Sequence, residues 1–332
     1  MNVFYTTNDA FVPQVATCMC SLFENNKNMP VISVYIASMG ITDENKRKLL
    51  DFAQTYGRSV SFIEIEDLGA YIDFDFDTSG WNSIVLARLI LDKLLPKDMD
   101  RVLYLDGDTL VRDDLSSLWG TDMGDYVIGA SPEPTASLSR RESLEMGRAP
   151  YCNAGVLLID LGKWRNEKTG QKILAYYKEK GGKLFANDQD AINGSLAGEI
   201  HILPPRYNYC NTFDFYPYRT LKKLSEPAPY ISEKEYDDTK ANPAIIHYLG
   251  EERPWRKGNT HRFAEEFQKY LHMTPWKDMP MEEGWEFYFR CFKAFNIFTK
   301  PFPMLRYRII DSLIPAFMRR RAKQLKKQKN ET

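Results

Sequence analysis

The sequence predicts an α/β protein, a single domain with a mostly parallel central sheet flanked by helices and followed by a helical, basic C-terminal extension. Three observations predict it. Short β-rich runs alternate with helical patterns through the first half of the chain, the pattern of a parallel sheet covered by helices. Two of those runs end in the polar stretches "TTND" and "DGD", and such sheets gather their ligands at the carboxyl ends of strands. A chain of 332 residues with 43% apolar content can bury one large core and still carry an appendage, with a boundary expected at 280/281.

Val3–Tyr5 has the composition of a first strand, and Val12–Leu22 of the helix after it. Val31–Ile36 is the second strand; a helix opened by Thr42, Asp43 and Glu44 follows and is stopped by Gly57. Val60–Ile65, a helix from Trp81 to Leu95, and the strand Val102–Leu105 continue the alternation. Beyond Asp113 the order loosens. Tyr126–Ala130 and Gly155–Ile159 are further strands, and Trp164–Lys180 is helical. From Pro204 to Pro243 the chain is rich in Tyr, Pro, Asn and Asp, which predicts a loop-heavy excursion of the kind that carries specificity.

The net charge of −1 hides an asymmetry. From Pro301 onward nine basic residues face only Asp311 and Glu331, so that stretch carries +7 and the rest −8. A basic tail on an acidic body points to an anionic surface, met by the tail alone, and not to nucleic acid. Cys18, Cys20, Cys152, Cys210 and Cys291 are odd in number and lack metal-type spacing, the pattern of reduced thiols in a cytoplasmic protein. The start has no basic leader with a long apolar stretch, and no window reads as a membrane span.

The stretch "VLYLDGDTLV" places Asp106 and Asp108 one residue apart at the end of an apolar run. On an extended segment both carboxylates project to the same side, and Gly107 allows a tight turn that aims them at one point. A hard divalent cation is one occupant; an ordinary Asp-Gly turn is the alternative. An EF-hand loop fails, because Leu110 and Val111 stand where further oxygen ligands and a glycine belong. A haloacid-dehalogenase-like phosphatase, with Asp106 as nucleophile and Asp108 as acid/base, would need Thr where Leu110 stands.

Six stretches in register resemble a known family, the retaining nucleotide-sugar glycosyltransferases of family 8, which includes glycogenin and bacterial lipooligosaccharide galactosyl- and glucosyltransferases. They are "VFYTTNDAFV", "RLILDKLLP", "LYLDGDTLV", "YCNAGVLLID", "FANDQDAIN" and "HYLGEERPW", within residues 1 to 256. The resemblance implies a GT-A fold and a UDP-hexose donor carrying glucose or galactose. It implies Mn²⁺, with Mg²⁺ as substitute, held by Asp106, Asp108 and His247, a mixed oxygen and nitrogen set. Thr6, Asn8 and Phe11 would hold the uridine; Asp106, Gly107, Asp108, Gly250 and Arg253 would meet the diphosphate. Arg88, Asn153, Asp188 and Gln189 would hold the sugar, with Arg88 also reaching the nucleotide. Gln189 is the implied catalytic group beside the anomeric carbon, and Asp190 the reserve nucleophile. Arg253 departs from the family's usual lysine, and Phe11 from its frequent tyrosine.

The implied acceptor is a glycan, lipid-linked or on the cell surface. A catalytically idle nucleotide-sugar-binding protein is the non-enzymatic alternative. Trp285 to Phe302 is crowded with aromatics, and Leu305, Ile309, Leu313 and Phe317 recur at helical spacing among arginines. This pattern suits an interfacial segment that holds the protein peripherally on the inner face of the plasma membrane.

Overall fold

The computed structural model describes residues 1–78, 82–314 and 316. Nine strands form: β1 (Asn2–Asn8), β2 (Ser33–Met39), β3 (Ser59–Glu64), β4 (Arg101–Leu105), β5 (Thr109–Val111), β6 (Ile128–Pro132), β7 (Cys152–Asp160), β8 (Ile200–Ile202) and β9 (Ile245–His247). Seven of them make the central sheet in the order β3-β2-β1-β4-β7-β6-β8, and β5 pairs with β9 in a small second sheet. Only β7 runs against the others of the large sheet, so the sheet is mostly parallel as expected. Val3 to Thr7 of β1 and nearly all of β7 are buried, which is why they read as near-continuous apolar runs rather than alternations.

This topology assembles the site. β1 and β4 are parallel neighbours, with Val3 opposite Leu103, so the turns after "VFYTT" and "VLYL" emerge side by side. β5 and β9 are antiparallel with Thr109 opposite His247, and this pairing carries the histidine to the two aspartates.

The helix Val12–Asn25 is buried over most of its length beneath the sheet. Asp43–Thr55 starts where expected, the Thr42 hydroxyl accepting from the Asn45 amide at 3.3 Å. Two expected helices differ. Within the stretch expected as one helix from Trp81 to Leu95, Ser83–Leu89 is a 3-10 helix and only the turn Leu91–Leu94 is α-helical; Trp81 lies outside the described residues. Ile84, Leu86, Ala87, Arg88 and Leu89 are all buried, so no polar face exists for a helical period to mark. Trp164–Lys180 is two helices, Leu161–Asn166 and Thr169–Glu179, separated by Lys168 at φ +55°. A methyl group at Gly170 would lie 2.7 Å from the Leu89 carbonyl, so the second helix starts in direct contact with the 3-10 segment.

The excursion after Pro204 is built of short helices, Pro205–Asn208, Thr212–Phe215, Tyr218–Ser225 and Glu233–Ala241. The four cysteines of the body, Cys18, Cys20, Cys152 and Cys210, are buried free thiols, and Cys291 is exposed. The extension forms helices at Glu286–Thr299 and at 303–314. It is packed onto the body: Phe289 and Arg306 are buried, and Glu282 exchanges backbone hydrogen bonds with Trp255 and Lys257. Phe317 and the basic cluster Arg319, Arg320 and Arg321 lie outside the described residues. Among the described residues no helix is long and apolar enough to cross a membrane.

Candidate active site

A cleft of about 380 Å³ opens at the carboxyl ends of β1 and β4. Its lining includes Thr6, Asn8, Phe11, Arg88, Asp106, Gly107, Asp108, Asn153, Asp188, Gln189, His247, Gly250 and Arg253. Every site residue expected from the sequence is therefore in the cleft wall except Asp190.

Asp106, Asp108 and His247 converge so that one ligand atom from each lies within 4.8 Å of the others. His247 Nε2 is 3.3 Å from Asp108 Oδ1 and 3.7 Å from Asp106 Oδ2. A backbone donor determines which imidazole nitrogen is free. The Gly155 amide donates to Asn153 Oδ1 at 2.8 Å, so the Asn208 group that also meets this oxygen at 2.8 Å must be its amide. Asn208 Oδ1 then accepts a hydrogen bond from His247 Nδ1 at 2.9 Å, which turns Nε2 toward the two carboxylates. Two carboxylates and one imidazole nitrogen suit a divalent cation that accepts oxygen and nitrogen ligands, and Mn²⁺ fits this set.

The carboxylates are held from behind. Asp106 Oδ1 accepts from Tyr104 Oη at 2.5 Å and from Arg88 Nη2 at 2.7 Å, while Oδ2 is turned toward His247. Burial raises the pKa of the Asp108 carboxyl, but the charges of His247 and Arg253 outweigh it and leave that carboxyl below its ordinary value. Burial likewise depresses His247, and the two aspartates reverse this and raise it. Gly107 fits where little else could: a methyl group there would lie 2.7 Å from Val15 Cγ2 and 3.1 Å from the Phe11 ring.

Arg88 is not a solvated helix charge. It is buried, stacks 4.1 Å over the Tyr104 ring, donates to the Ala154 carbonyl at 2.6 Å, and pairs with both Asp106 and Asp188. Burial lifts Asp188 to about 6 despite that partner. Gln189 Oε1 accepts from the Ala154 amide at 3.0 Å, and its Nε2 donates to Tyr151 Oη at 3.0 Å and Glu133 Oε2 at 3.1 Å. Glu133 Oε2 also accepts from Asn153 Nδ2 at 2.8 Å. Asp190 is turned away and 1% exposed; Tyr151 Oη and Arg140 Nε donate to its Oδ1 at 2.7 and 2.8 Å, and the Ala186 amide to its Oδ2 at 2.9 Å. Elsewhere in the cleft wall Asn8 Oδ1 accepts from the Phe11 amide, and Phe11 meets Trp255 edge-on at 5.6 Å. Gly250 at φ +73° bends the chain, and Arg253 Nη2 reaches to 3.5 Å from Asp108 Oδ2.

Sequence reasoning missed Glu133, Tyr151, Arg140, Asn208 and Gly155. A methyl group on Gly155 would fall 2.1 Å from His247 Cε1 and 2.9 Å from Asp106 Oδ2, so only glycine leaves room beneath the three converging side chains. "CNAGVLL" held that signal as a glycine inside a strand. Tyr151 opens the stretch "YCNAGVLLID" but was given no role there, and Glu133, Arg140 and Asn208 sit in segments without diagnostic spacing. The excursion supplies Asn208, but none of residues 209–243 lines the cleft.

The comparisons with known proteins agree with this geometry. The model of the family "Glycosyl transferase family 8" matches residues 2–258. General stress protein A of Bacillus subtilis is 27% identical over 279 residues, covering 83% of this chain and 94% of that protein. A lipopolysaccharide 1,2-glucosyltransferase of Escherichia coli K12 is 26% identical over 282 residues, covering 84% of this chain and 79% of its relative. The solved structure of the galactosyltransferase LgtC in complex with donor and acceptor sugar analogs superposes with a TM-score of 0.70 at 26% identity, covering 86% of this chain and 99% of that one. The match identifies the GT-A architecture and sets the phosphatase reading of Asp106 and Asp108 aside. The chain is a glycosyltransferase and belongs to glycosyl transferase family 8.

Proposed function

We propose that this protein moves glucose or galactose from a UDP-hexose to a glycan with retention at the anomeric carbon, using Mn²⁺ or, less well, Mg²⁺. The observation that carries this reading is the convergence of Asp106, Asp108 and His247 in the wall of a cleft that also takes in the Phe11 ring and the Gln189 amide. A nucleoside diphosphate hexose calls for the same parts: an aromatic face for the base, a cation for the charged bridge, and polar groups for the sugar.

The bound cation would serve as a Lewis acid on the diphosphate as the sugar departs. The chain's own residues supply the rest. Arg253 and the backbone at Gly250 face the diphosphate and compensate the charge that grows on it. Arg88 holds the Asp106 oxygen opposite the one offered to the cleft. Asn153, Asp188 and Gln189 orient the hexose. Gln189 would stand next to the reacting carbon, and we assign Asp190 a supporting role, since its carboxylate is turned away and held by Arg140, Tyr151 and the Ala186 amide.

The test is release of UDP from UDP-glucose and UDP-galactose, followed by mass spectrometry with Mn²⁺, with Mg²⁺ and with EDTA. Donor binding without turnover on any glycan would favour the idle binding protein. Gln189→Ala is expected to bind UDP as wild type does and to lower kcat by roughly 10- to 100-fold at saturating donor. An unchanged kcat would remove Gln189 from the chemistry.

We further propose that the acceptor is a lipid-linked or cell-surface saccharide, as in lipopolysaccharide assembly, met at the cytoplasmic face of the plasma membrane. The extension supports this with an apolar outer face: Phe287, Ile297, Phe298, Phe302, Leu305 and Leu313 are all more than half exposed. The +7 charge from Pro301 onward complements anionic lipid. The protein should sediment with anionic vesicles at low salt and less at high salt. The double variant Phe298→Ser, Phe302→Ser should sediment less at both salt concentrations, and equal sedimentation would refute the membrane role.

A further inference from the structure

The loop that brings Gly250 and Arg253 to the cleft is held from its other side by the C-terminal extension. Arg256 makes the connection. Its Nε donates to Glu282 Oε2 at 2.9 Å, and its Nη1 donates to the Glu251 carbonyl at 3.2 Å and pairs with the Glu251 carboxylate. Its guanidinium carbon lies 3.6 Å from the centre of the Trp285 ring. A planar cation between an indole and two carboxylates has few orientations available, which a lysine could not reproduce. Backbone bonds reinforce the contact: the Glu282 amide donates to the Trp255 carbonyl at 2.8 Å, and the Lys257 amide to the Glu282 carbonyl at 2.9 Å.

Within the loop the same residue closes a turn. The Arg256 amide donates to the Arg253 carbonyl at 3.0 Å, the Arg253 amide to the Glu251 carbonyl at 2.8 Å, and Arg253 Nε to the Gly250 carbonyl at 3.0 Å. Arg253 therefore takes its direction toward Asp108 from a short segment whose end is clasped by Glu282 and Trp285. Arg256 itself does not line the cleft. The neighbouring Trp255 touches Phe11 at the base end and lies 5.5 Å under the Arg253 guanidinium. A second tie runs from the extension to the excursion, where the buried Arg306 stacks 4.1 Å over Phe215.

We propose that Arg256, seated on Glu282 and Trp285, is a positioning residue for the donor diphosphate, so that the C-terminal extension sets the conformation of the loop carrying Gly250 and Arg253. The extension thereby acts on donor affinity as well as on any surface it meets. This inference rests on the reading of the cleft as a UDP-sugar site, and the experiment separates the two. Binding of UDP and of uridine, each with Mn²⁺, is measured by calorimetry or by competition on the full chain for wild type, Arg256→Gln, Arg256→Lys, Trp285→Leu and, as an exposed control on the same extension, Arg290→Gln.

Arg256→Gln and Trp285→Leu should weaken UDP binding by about tenfold while uridine stays within about twofold, because only the phosphate-facing loop is released. Arg256→Lys should recover part of the loss, and Arg290→Gln should match wild type. Melting temperatures within about 3 °C of wild type would show that the fold is kept. Wild-type UDP affinity in both Arg256→Gln and Trp285→Leu would overturn the positioning role. So would a loss of uridine binding as large as that of UDP, which marks general damage. A wild type that binds neither ligand would overturn the donor reading itself, and the positioning role with it.

Discussion

Asp108→Asn is expected to lower metal-dependent release of UDP from the sugar donor by roughly 100- to 1,000-fold while the protein stays folded. The carboxylate is one of three groups whose ligand atoms converge within 4.8 Å, and it also faces Arg253 at 3.5 Å. An amide keeps the shape but removes the negative charge that a hard cation requires. His247 would lose the nearer of its two carboxylate neighbours, at 3.3 Å against 3.7 Å for Asp106, and would present its Nε2 to a weaker site. Calorimetry with Mn²⁺ and UDP should show the loss of cation affinity independently of turnover. Full activity of this variant, or of wild type in EDTA, would falsify the metal assignment.

Gly155→Ala should be nearly as damaging, although glycine supplies no chemistry. The added methyl would lie 2.1 Å from His247 Cε1, 2.6 Å from Nδ1 and 2.9 Å from Asp106 Oδ2. Nothing there can yield without moving a ligand, because His247 is pinned by Asn208 and Asp106 by Tyr104 and Arg88. The expected outcome is a loss of Mn²⁺ affinity of about 10- to 100-fold, with a stability cost of about 1–3 kcal/mol from overpacking. Thermal melting and Mn²⁺ titration read the two effects separately. Wild-type cation affinity in this variant would mean that the three ligands do not act as the rigid set described above.

Much of the scaffold was legible because burial left it periodic or terminal signals to read. The apolar runs of β1, β2 and β4 alternate with amphipathic helices, and Thr42 marks a helix start that the structure uses as an N-cap. The segment 83–89 was misread as part of one α-helix because burial on all sides removes the polar face from which helical period is judged. Arg306, one of the arginines among the apolar residues of the extension, points inward, stacked on Phe215 and Phe295 and bonded to Asn296 and Thr299, since the helix Glu286–Thr299 and the excursion together give its guanidinium aromatic faces and acceptors.

The sequence by itself determined the α/β class and the carboxylate pair at a strand end, which follow from local rules: side-chain alternation, turn chemistry, and short spacings along an extended chain. The group of residues that line one cleft came instead from the resemblance of six stretches to glycosyl transferase family 8. Only the tertiary structure decided that Asn208 orients His247, that Gly155 clears the floor beneath His247 and the two aspartates, that Glu133 and Tyr151 hold Gln189, and that Asp190 is turned away behind Arg140. Each of these joins residues from separate segments, 56 positions apart in the case of Glu133 and Gln189. Their meeting depends on the sheet order, with β7 inserted in reverse between β4 and β6, and no single segment encodes that order in its own periodicity.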